Sequence, residues 1–375
     1  MPTYDCLIVG AGPAGIGMGS VLQDLGVRHF SILERADIGA SFAMWPREVR
    51  MITPSFTSNA YGMMDLNAIA LNTSPAYTLG TEHPSGEDYA NYLHAVAAYK
   101  QLPVQCGIDV TGIEPVDSGG FEVQTQAGKL TAQTVIWAAG EFQYPDLGSF
   151  PGAEYGIHNS LVQEWKHIEG DDIVIVGGYE SGADAAIHLA HLGKHVTIID
   201  RKGHGLKKGS SDPSVELSPY TKDRLRQVEE GRIDWIGGYE VQWIEADEHE
   251  RYLIYCEDAE GQSRMITTMA QPILATGFKG SLGIIESLFA RDEQGKTRLT
   301  ESDESTVTPG LFLTGPSVIH GQLLFCFIYK FRQRFGVIGD AIARRFELDR
   351  KILETYHKEG LLLDDLSCCG ETCTC

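Results

Sequence analysis

Apolar and polar positions along this chain repeat one pattern twice. From Cys6 to Val9 the run is apolar, which predicts a buried strand. The glycine-rich break Gly10-Ala11-Gly12-Pro13-Ala14-Gly15 follows, then helical spacing to about Leu25, then a second apolar strand ending on the acid Glu34. Asp172 restarts the order with an apolar strand, the break Gly177-Gly178-Tyr179-Glu180-Ser181-Gly182, a helix, and a strand ending on Asp200. Glu34 lies 24 residues past Gly10, and Asp200 lies 23 past Gly177. Each glycine of the first break has a physical reason. Gly10 permits a tight turn, Gly12 lets backbone approach a pyrophosphate, and Gly15 lets helix and strand pack closely. The helix N-terminus offers unpartnered N–H groups and the positive end of its dipole to phosphates. Glu34 stands where a carboxylate accepts both ribose hydroxyls of an adenosine.

The segments between the two copies read less regularly. Ala36 to Gln101 is rich in Ser, Thr, Pro, Asn and aromatics, with one helical stretch from Glu87 to Tyr99. A loop-rich excursion of this length is expected to be functional, wrapping a cofactor and shaping the substrate side. Short antiparallel strands are expected between Val110 and Val135, around a turn at Asp117-Ser118-Gly119-Gly120, and the run Thr134 to Gly140 is a strand breaking at glycine. After the second copy come short strands near Tyr239 to Ile244 and Tyr252 to Glu257. Pro272 to Gly277 echoes the strand that breaks at Gly140. Gly310 to Gly315 reads as a strand into a glycine turn, and one long helix is expected from about Gly321 to Phe346.

Composition narrows the setting. Hydrophobic residues make up 43% and charged residues 22% of 375, which is ordinary for a globular chain of two domains. The 51 acids against 30 Lys and Arg give a net charge of −21, which speaks against nucleic-acid or anionic-membrane partners. No apolar run approaches the roughly 20 residues of a membrane-spanning helix. The first apolar stretch is accounted for by the nucleotide unit, so a cytoplasmic location is expected. Eight cysteines in this length are no disulfide framework, and four of them crowd into residues 367–375. That tail has three readings: thiols with no role, a soft-metal site, or a redox pair.

Two nucleotide units, each closed by an Ala-Ala/Thr-Gly strand and followed by a final strand–glycine turn, resemble the flavoproteins with two dinucleotide-binding domains. The resemblance implies an α/β fold of two Rossmann-like domains, the second inserted into the first. Residues 1–158 and 271–366 would bind FAD, 159–270 would bind NAD(P)H, and 367–375 form the Cys-rich tail. By the same resemblance Gly10, Gly12, Gly15, Glu34 and Gly315 fall to FAD, and Gly177, Ser181 and Gly182 to the nicotinamide cofactor. Further cofactor-binding candidates are Pro13, Ala14, Arg35, Ser41, Trp45, Ala139, Gly140, Tyr179, Asp200, Arg201, Gly277 and Pro316. NADPH is the expected reductant, with NADH possible. Asp200 favours a ribose 2′-hydroxyl, whereas Arg201, Lys202, Lys207 and Lys208 suit a 2′-phosphate. Tyr179 stands where the middle glycine is expected, which implies a widened turn, a shifted nucleotide or weak binding.

Within that superfamily the chain is similar to the short bacterial flavin-containing-monooxygenase-like proteins. The supporting residues are Gly39-x-Ser41-Phe42-x-x-Trp45, Thr53 to Asn59, Glu180-Ser181-Gly182 and Phe325 to Lys330. Phe150 to Ser160 sits where that branch places a fingerprint histidine, here His158 with six positions from Gly152. The resemblance implies hydride transfer from NAD(P)H to FAD, then transfer of one oxygen atom from O2 to a small substrate. Asn59 and His320 are the catalytic candidates, and Trp45, Phe56 and Tyr61 are candidate shields against water. No metal site is expected in the body of the chain, and a homodimer is possible. The alternative is the thioredoxin-reductase-like branch, a thiol/disulfide oxidoreductase using the C-terminal cysteines. Against it, Cys6, Cys106, Cys256 and Cys326 are isolated, and the flavin strand ends Gly315-Pro316. A non-catalytic flavoprotein is the third reading.

Overall fold

The computed structural model describes residues 4–57, 62–203 and 213–366. The chain divides into two compact units: Met1–Ala43, Pro54–Gln143 and Gly280–Cys375 make the first, Met44–Thr53 and Tyr144–Lys279 the second. These limits differ from those read in the sequence, since residues 144–158, 271–279 and 44–53 belong to the second unit. Met44–Thr53 joins it through specific bonds. The Arg47 N–H donates to the Gln163 carbonyl at 2.9 Å, and the Arg47 guanidinium pairs with Glu164 at 3.1 Å.

In the first unit β1 (Tyr4–Val9), α1 (Pro13–Asp24) and β2 (Phe30–Glu34) realise the first copy of the pattern. Pro13 suits the first helical turn because its missing N–H would have no partner there. The excursion that follows carries α2 (Ala40–Ala43), α3 (Pro75–Leu79) and α4 (Gly86–Tyr99). A capping box starts α4: Ser85 Oγ accepts the Asp88 N–H while the Asp88 carboxylate accepts the Ser85 N–H. The excursion is anchored by polar bonds to this helix. The buried Tyr89 hydroxyl donates to the Asn67 carbonyl at 2.7 Å, and the Ile69 N–H donates to the Tyr92 hydroxyl at 3.1 Å. Next come β3 (Val104–Cys106), β4 (Val110–Pro115), β5 (Phe121–Thr125) and β6 (Gly128–Trp137).

The second unit contains β7 (Ile157–His158), then the second copy as β8 (Asp172–Val176), α5 (Glu180–His191) and β9 (His195–Asp200). It continues with α6 (Pro219–Leu225), β10 (Ile233–Gly237), the antiparallel strands β11 (Tyr239–Ala246), β12 (Tyr252–Asp258) and β13 (Ser263–Thr268), and β14 (Ile273–Leu274). Its parallel sheet runs β10-β9-β8-β14-β7. Strand alternation explains how both faces are covered. Ile173 and Ile175 pack with Ala185 and Leu189 of α5, while Val174 and Val176 pack with Val241 and Ile254 of the antiparallel sheet.

The chain then returns to the first unit with β15 (Leu311–Leu313), which pairs parallel to the C-terminal half of β6. The parallel strands there run β3-β2-β1-β6-β15, and the N-terminal half of β6 carries the antiparallel β5 and β4. The long helix expected from Gly321 to Phe346 is not formed. A hairpin of β16 (Ile319–His320) and β17 (Leu323–Leu324) turns at Gly321, whose φ of +60° is left-handed backbone that ends helical propagation. Helix begins only at α7 (Ile328–Phe331) and passes through a 3-10 turn, Arg332–Arg334, into α8 (Phe335–Arg345); α9 (Ile352–Lys358) follows. Among the described residues no helix is long and apolar enough to cross a membrane.

Candidate functional site

Packing alone explains two of the three glycines in the first turn. Gly10 has φ +102°, and a Cβ there would stand 2.6 Å from the Ala138 carbonyl oxygen. A Cβ at Gly15 would stand 1.8 Å from the Gly10 carbonyl oxygen. Gly12 is different. Its φ of −77° suits any residue, and no atom lies within 4 Å of where its Cβ would be. The space beside the first turn of α1 is left open by the protein, as a cradle for a bound pyrophosphate requires. Glu34 is fixed beside that cradle: Oε2 accepts the Ala11 N–H and Oε1 the Ala36 N–H, each at 2.8 Å. Each oxygen keeps a further lone pair for a ribose hydroxyl.

Neighbouring candidates converge on the same edge of the sheet. Gly315, φ +99°, ends β15 so close to α1 that a Cβ would sit 3.4 Å from that of Ala14; half-buried Pro316 follows. Ala139 and Gly140 follow β6, and the Gly140 carbonyl accepts the Ser281 N–H at 3.1 Å. The Gly39 N–H donates to the Ala11 carbonyl at 3.0 Å, which brings α2 and its Ser41 to the turn. Arg35 is exposed, and Trp45 belongs to the second unit. Asn59, Tyr61, Lys207, Lys208 and the tail 367–375 lie outside the described residues. A cleft of about 540 Å³ between Leu71, Tyr77, Tyr92 and Tyr99 involves none of the predicted site residues.

The second turn copies the first in backbone and departs from it in side chains. Gly177 has φ +104°, with a Cβ position 2.3 Å from the Ala275 carbonyl oxygen, and that of Gly182 is 1.9 Å from the Gly177 oxygen. Tyr179 holds φ −93° and ψ −165°, beside −77° and −171° for Gly12. The turn is therefore not widened, which removes the first of the three expectations for Tyr179. Its hydroxyl donates to the Pro213 carbonyl. Glu180 holds the same segment: it accepts the Ser218 N–H and, at 2.6 Å, the Thr221 hydroxyl. Burial pushes the Glu180 carboxyl up, partly offset by these donors. Asp200 is 2% exposed and accepts the Trp235 indole N–H at 3.2 Å and the Lys202 N–H at 3.1 Å. Arg201 pairs with Glu240 at 2.7 Å on the surface, and Ser181 is exposed. The backbone of this turn thus repeats that of the first, with the Tyr179 side chain in place of a glycine hydrogen and Asp200 buried behind it.

His158 acts as a strut between β7 and the turn after β14. Its Nδ1 accepts the Ser160 N–H at 3.2 Å, so Nε2 carries the proton and donates to the Gly277 carbonyl at 3.0 Å. Burial lowers its pKa, partly offset by the Gly277 carbonyl. The body cysteines are poor nucleophiles. The buried Cys6 thiol is pushed up to about 12, and burial also raises Cys256 and Cys106. Among the described residues no group of His, Cys, Asp and Glu is arranged to hold a metal ion. Sequence reasoning missed Glu141, directly after Gly140, whose carboxyl is pushed up by burial. It also missed Asp303 and Arg334, both fully buried and bonded to each other. The Gly140-Glu141 step was visible; the other pair left no sequence signal.

The profile of the pyridine nucleotide-disulphide oxidoreductases matches residues 7–315. The chain belongs to that family. Its members are NAD(P)H-dependent flavoprotein oxidoreductases, and its cofactors are FAD and NAD(P)H. The bacilliredoxin reductase Bdr of Bacillus subtilis is 22% identical over 343 residues, covering 90% of this chain and 97% of that protein. An uncharacterised CzcO-like oxidoreductase of Geobacillus kaustophilus is 26% identical over 190 residues, 50% of this chain and 51% of that protein. The match thus spans about half the length of this relative. Among solved structures, the bacillithiol disulfide reductase of Staphylococcus aureus shares the fold with TM-score 0.72 at 20% identity, covering 92% of this chain and 99% of that one. A flavin-containing monooxygenase from Stenotrophomonas maltophilia gives TM-score 0.69 at 18% identity, covering 92% and 100%. Both branches of the sequence resemblance are therefore structural neighbours of this family member.

Proposed function

We propose that this flavoprotein passes both electrons from NAD(P)H through FAD directly to an acceptor from solution, with no cysteine pair of its own body as relay. The observation that carries this reading is the contrast between a complete FAD cradle and cysteines unfit for dithiol chemistry. Cys6 and Cys256 are buried in different units, and Cys106 and Cys326 are not in disulfide linkage. When bound, FAD supplies the two-electron chemistry. The chain's own residues hold it: Gly10 and Gly15 set the turn, Gly12 leaves room for the pyrophosphate, and Glu34 binds ribose. Gly140, Gly315 and Pro316 border the ring-side edge of the sheet. Gly177, Gly182, Asp200 and Arg201 receive the nicotinamide cofactor, and the Tyr179 side chain borders that space.

For the acceptor we favour a disulfide, because the likeness to Bdr runs over 90% of the chain. The second reading is monooxygenation of a small substrate with O2, favoured by the Gly39 to Trp45, Thr53 to Asn59 and Glu180 to Gly182 motifs. Stopped-flow spectroscopy separates the two. The protein is reduced anaerobically with NADPH, then mixed with bacillithiol disulfide or with O2. Fast reoxidation by the disulfide, retained after deletion of residues 367–375, supports direct disulfide reduction. Loss of that reoxidation on deletion makes the tail thiols the relay and overturns the direct route. A long-lived absorbing species on mixing with O2, with no reaction toward disulfide, moves the assignment to the monooxygenase. Failure of NADPH and NADH to bleach the flavin refutes both.

A further inference from the structure

Both acceptor chemistries consume a proton that the hydride does not bring. Reduction of a disulfide is NAD(P)H + H⁺ + RSSR → NAD(P)⁺ + 2 RSH, and monooxygenation is NAD(P)H + H⁺ + O2 + S → NAD(P)⁺ + SO + H2O; with no substrate S present, dioxygen is reduced to peroxide, NAD(P)H + H⁺ + O2 → NAD(P)⁺ + H2O2. A site that shelters a reduced flavin from water must still admit that proton. We propose that His320 admits it, oriented by Asp303, which is itself held by Arg334. This inference rests on the oxidoreductase reading above and adds to it a proton route.

The three residues form one chain of contacts at the carboxyl edge of the first unit's parallel sheet, where open α/β sheets bind their ligands. Asp303 is fully buried, and its carbonyl accepts the N–H of Leu313, the last residue of β15, at 2.9 Å. Its φ of +60° is unusual for a residue with a side chain. Arg334, also fully buried, grips the carboxylate twice, Nε to Oδ2 and Nη2 to Oδ1, each at 3.0 Å. Two further guanidinium N–H groups donate to the Glu301 and Leu363 carbonyls, which fixes the arginine in place. Asp303 Oδ1 then meets His320 Nε2 at 2.5 Å.

His320 stands on the hairpin just past the Gly315 turn, the turn that crosses the first turn of α1. The Val318 N–H donates to the Gly315 carbonyl at 3.2 Å, which ties the start of the hairpin to that turn. One imidazole nitrogen is fixed on the carboxylate. The other, Nδ1, has no hydrogen-bond partner among the described residues, while the side chain keeps 16% of its surface exposed. Phe325 meets the ring edge-on at 6.0 Å. Among the described residues, charged groups that meet the hairpin or Phe325 are Asp303, Arg334 and Lys296, the last of which donates to the Gly321 carbonyl at 3.2 Å. An imidazole with one nitrogen held by a buried carboxylate, the other without a partner among the described residues, and part of its ring exposed is built to pass a proton. A purely mechanical clamp between Arg334, the hairpin and residue 363 would need no free second nitrogen.

The test uses the FAD-loaded protein and dioxygen as the acceptor. In His320→Ala, anaerobic flavin reduction by NADPH is expected to stay within about threefold of the native rate, since the hydride step draws no proton from solution. Reoxidation should fall by about 100-fold, the lower range for a lost general acid, and added imidazole should restore it. In the proton NMR spectrum, a far-downfield signal from the His320–Asp303 bond should be present in the native protein and absent from Asp303→Asn and His320→Ala. His320→Gln, which keeps an N–H donor toward Asp303, should fold and reoxidise as slowly as the alanine variant; if His320→Ala does not fold, this variant carries the test. Native-like reoxidation in either variant, or slow reoxidation that imidazole leaves unchanged, overturns the relay. Failure of the native protein to accept electrons from NAD(P)H refutes the oxidoreductase reading instead.

Discussion

Gly12 and Gly15 stand three residues apart in one turn, and the structure assigns them different reasons for being glycine. At Gly15 an added Cβ would lie 1.8 Å from the Gly10 oxygen and 2.9 Å from the Gly10 carbonyl carbon, both backbone atoms that cannot swing away. Gly15→Ala must therefore push α1 off the strand, costing about 3 kcal/mol or more by the usual scale of overpacking. At Gly12 the same methyl meets nothing within 4 Å. Gly12→Ala weakens an N-cap by roughly 0.5–1 kcal/mol and recovers about 0.4–1 kcal/mol from the stiffer unfolded chain. Apo-protein stability should thus be unchanged to within about 0.5 kcal/mol. The methyl does, however, enter the space left for the pyrophosphate. The assay is thermal unfolding of the FAD-stripped and FAD-loaded forms, together with flavin absorbance per protein. Gly12→Ala should melt like the native apo-protein and lose most of the added stability that FAD confers, about 2.7 kcal/mol at 100 times Kd. Gly15→Ala should be destabilised with or without FAD. A Gly12→Ala protein that purifies with a full complement of flavin would refute the cradle, and a native-like Gly15→Ala apo-protein would refute the packing argument.

Tyr179→Gly should tighten NADPH about tenfold, because the backbone already matches that of Gly12 and only the side chain stands in the way; titrating the rate of flavin reduction measures it, and weaker binding would make Tyr179 a cofactor contact. Glu240→Gln releases Arg201 from its surface pair and should raise the preference for NADPH over NADH by about two- to fivefold, read from the same titrations; an unchanged ratio removes Arg201 from 2′-phosphate recognition. His158 titrates near 6.5 when unfolded and lower when folded. The folded state therefore binds fewer protons in that window, and the protein should lose stability as pH falls below about 6.5. His158→Asn should flatten that part of the pH–stability profile while lowering stability at pH 8, and an unaltered slope would exclude His158 as its source.

The two nucleotide units were legible because their signals are local. Strand alternation, helical spacing and glycine chemistry all act within about 30 residues, and the acid at the end of each second strand completed the pattern. Tyr179 misled because glycine in such turns is commonly read as a backbone requirement. Here φ is −93°, open to any residue, so the turn kept its shape and only the side chain differs. The failed helix from Gly321 had a different cause. The apolar run from Leu323 to Tyr329 has no period that separates helix from strand, and its first residues pair back on Ile319–His320 across a turn that Gly321 makes at φ +60°. His320 was named as a candidate, but its partners Asp303 and Arg334 were out of reach for a third reason. His320 and Arg334 are 17 and 31 residues from Asp303, and only the return of β15 to the sheet brings them together.

What distinguishes the two units is what lies on their first helices. Pro13, Gly17 and Val21 of α1 correspond by position to Glu180, Asp184 and His188 of α5, one turn apart along a single face. On α1 that face is apolar and close-packed: a Cβ on Gly17 would strike the Phe335 ring at 2.1 Å, and Val21 lies 2.5 Å from the Cβ position of Gly339. On α5 the same face is polar and carries the segment leading into α6. Ser218 and Thr221 donate to Glu180, and Arg224 donates to Asp184 at 2.5 Å and contacts His188 Nε2 at 2.9 Å. Apolar interlock of that density opens only at the cost of a cavity, whereas neutral hydrogen bonds contribute about 1 kcal/mol each and those to charged groups about 1.5–3 kcal/mol. The first turn is therefore backed by the core that holds the unit together. The second is backed by a polar clasp of hydrogen bonds and one ion pair.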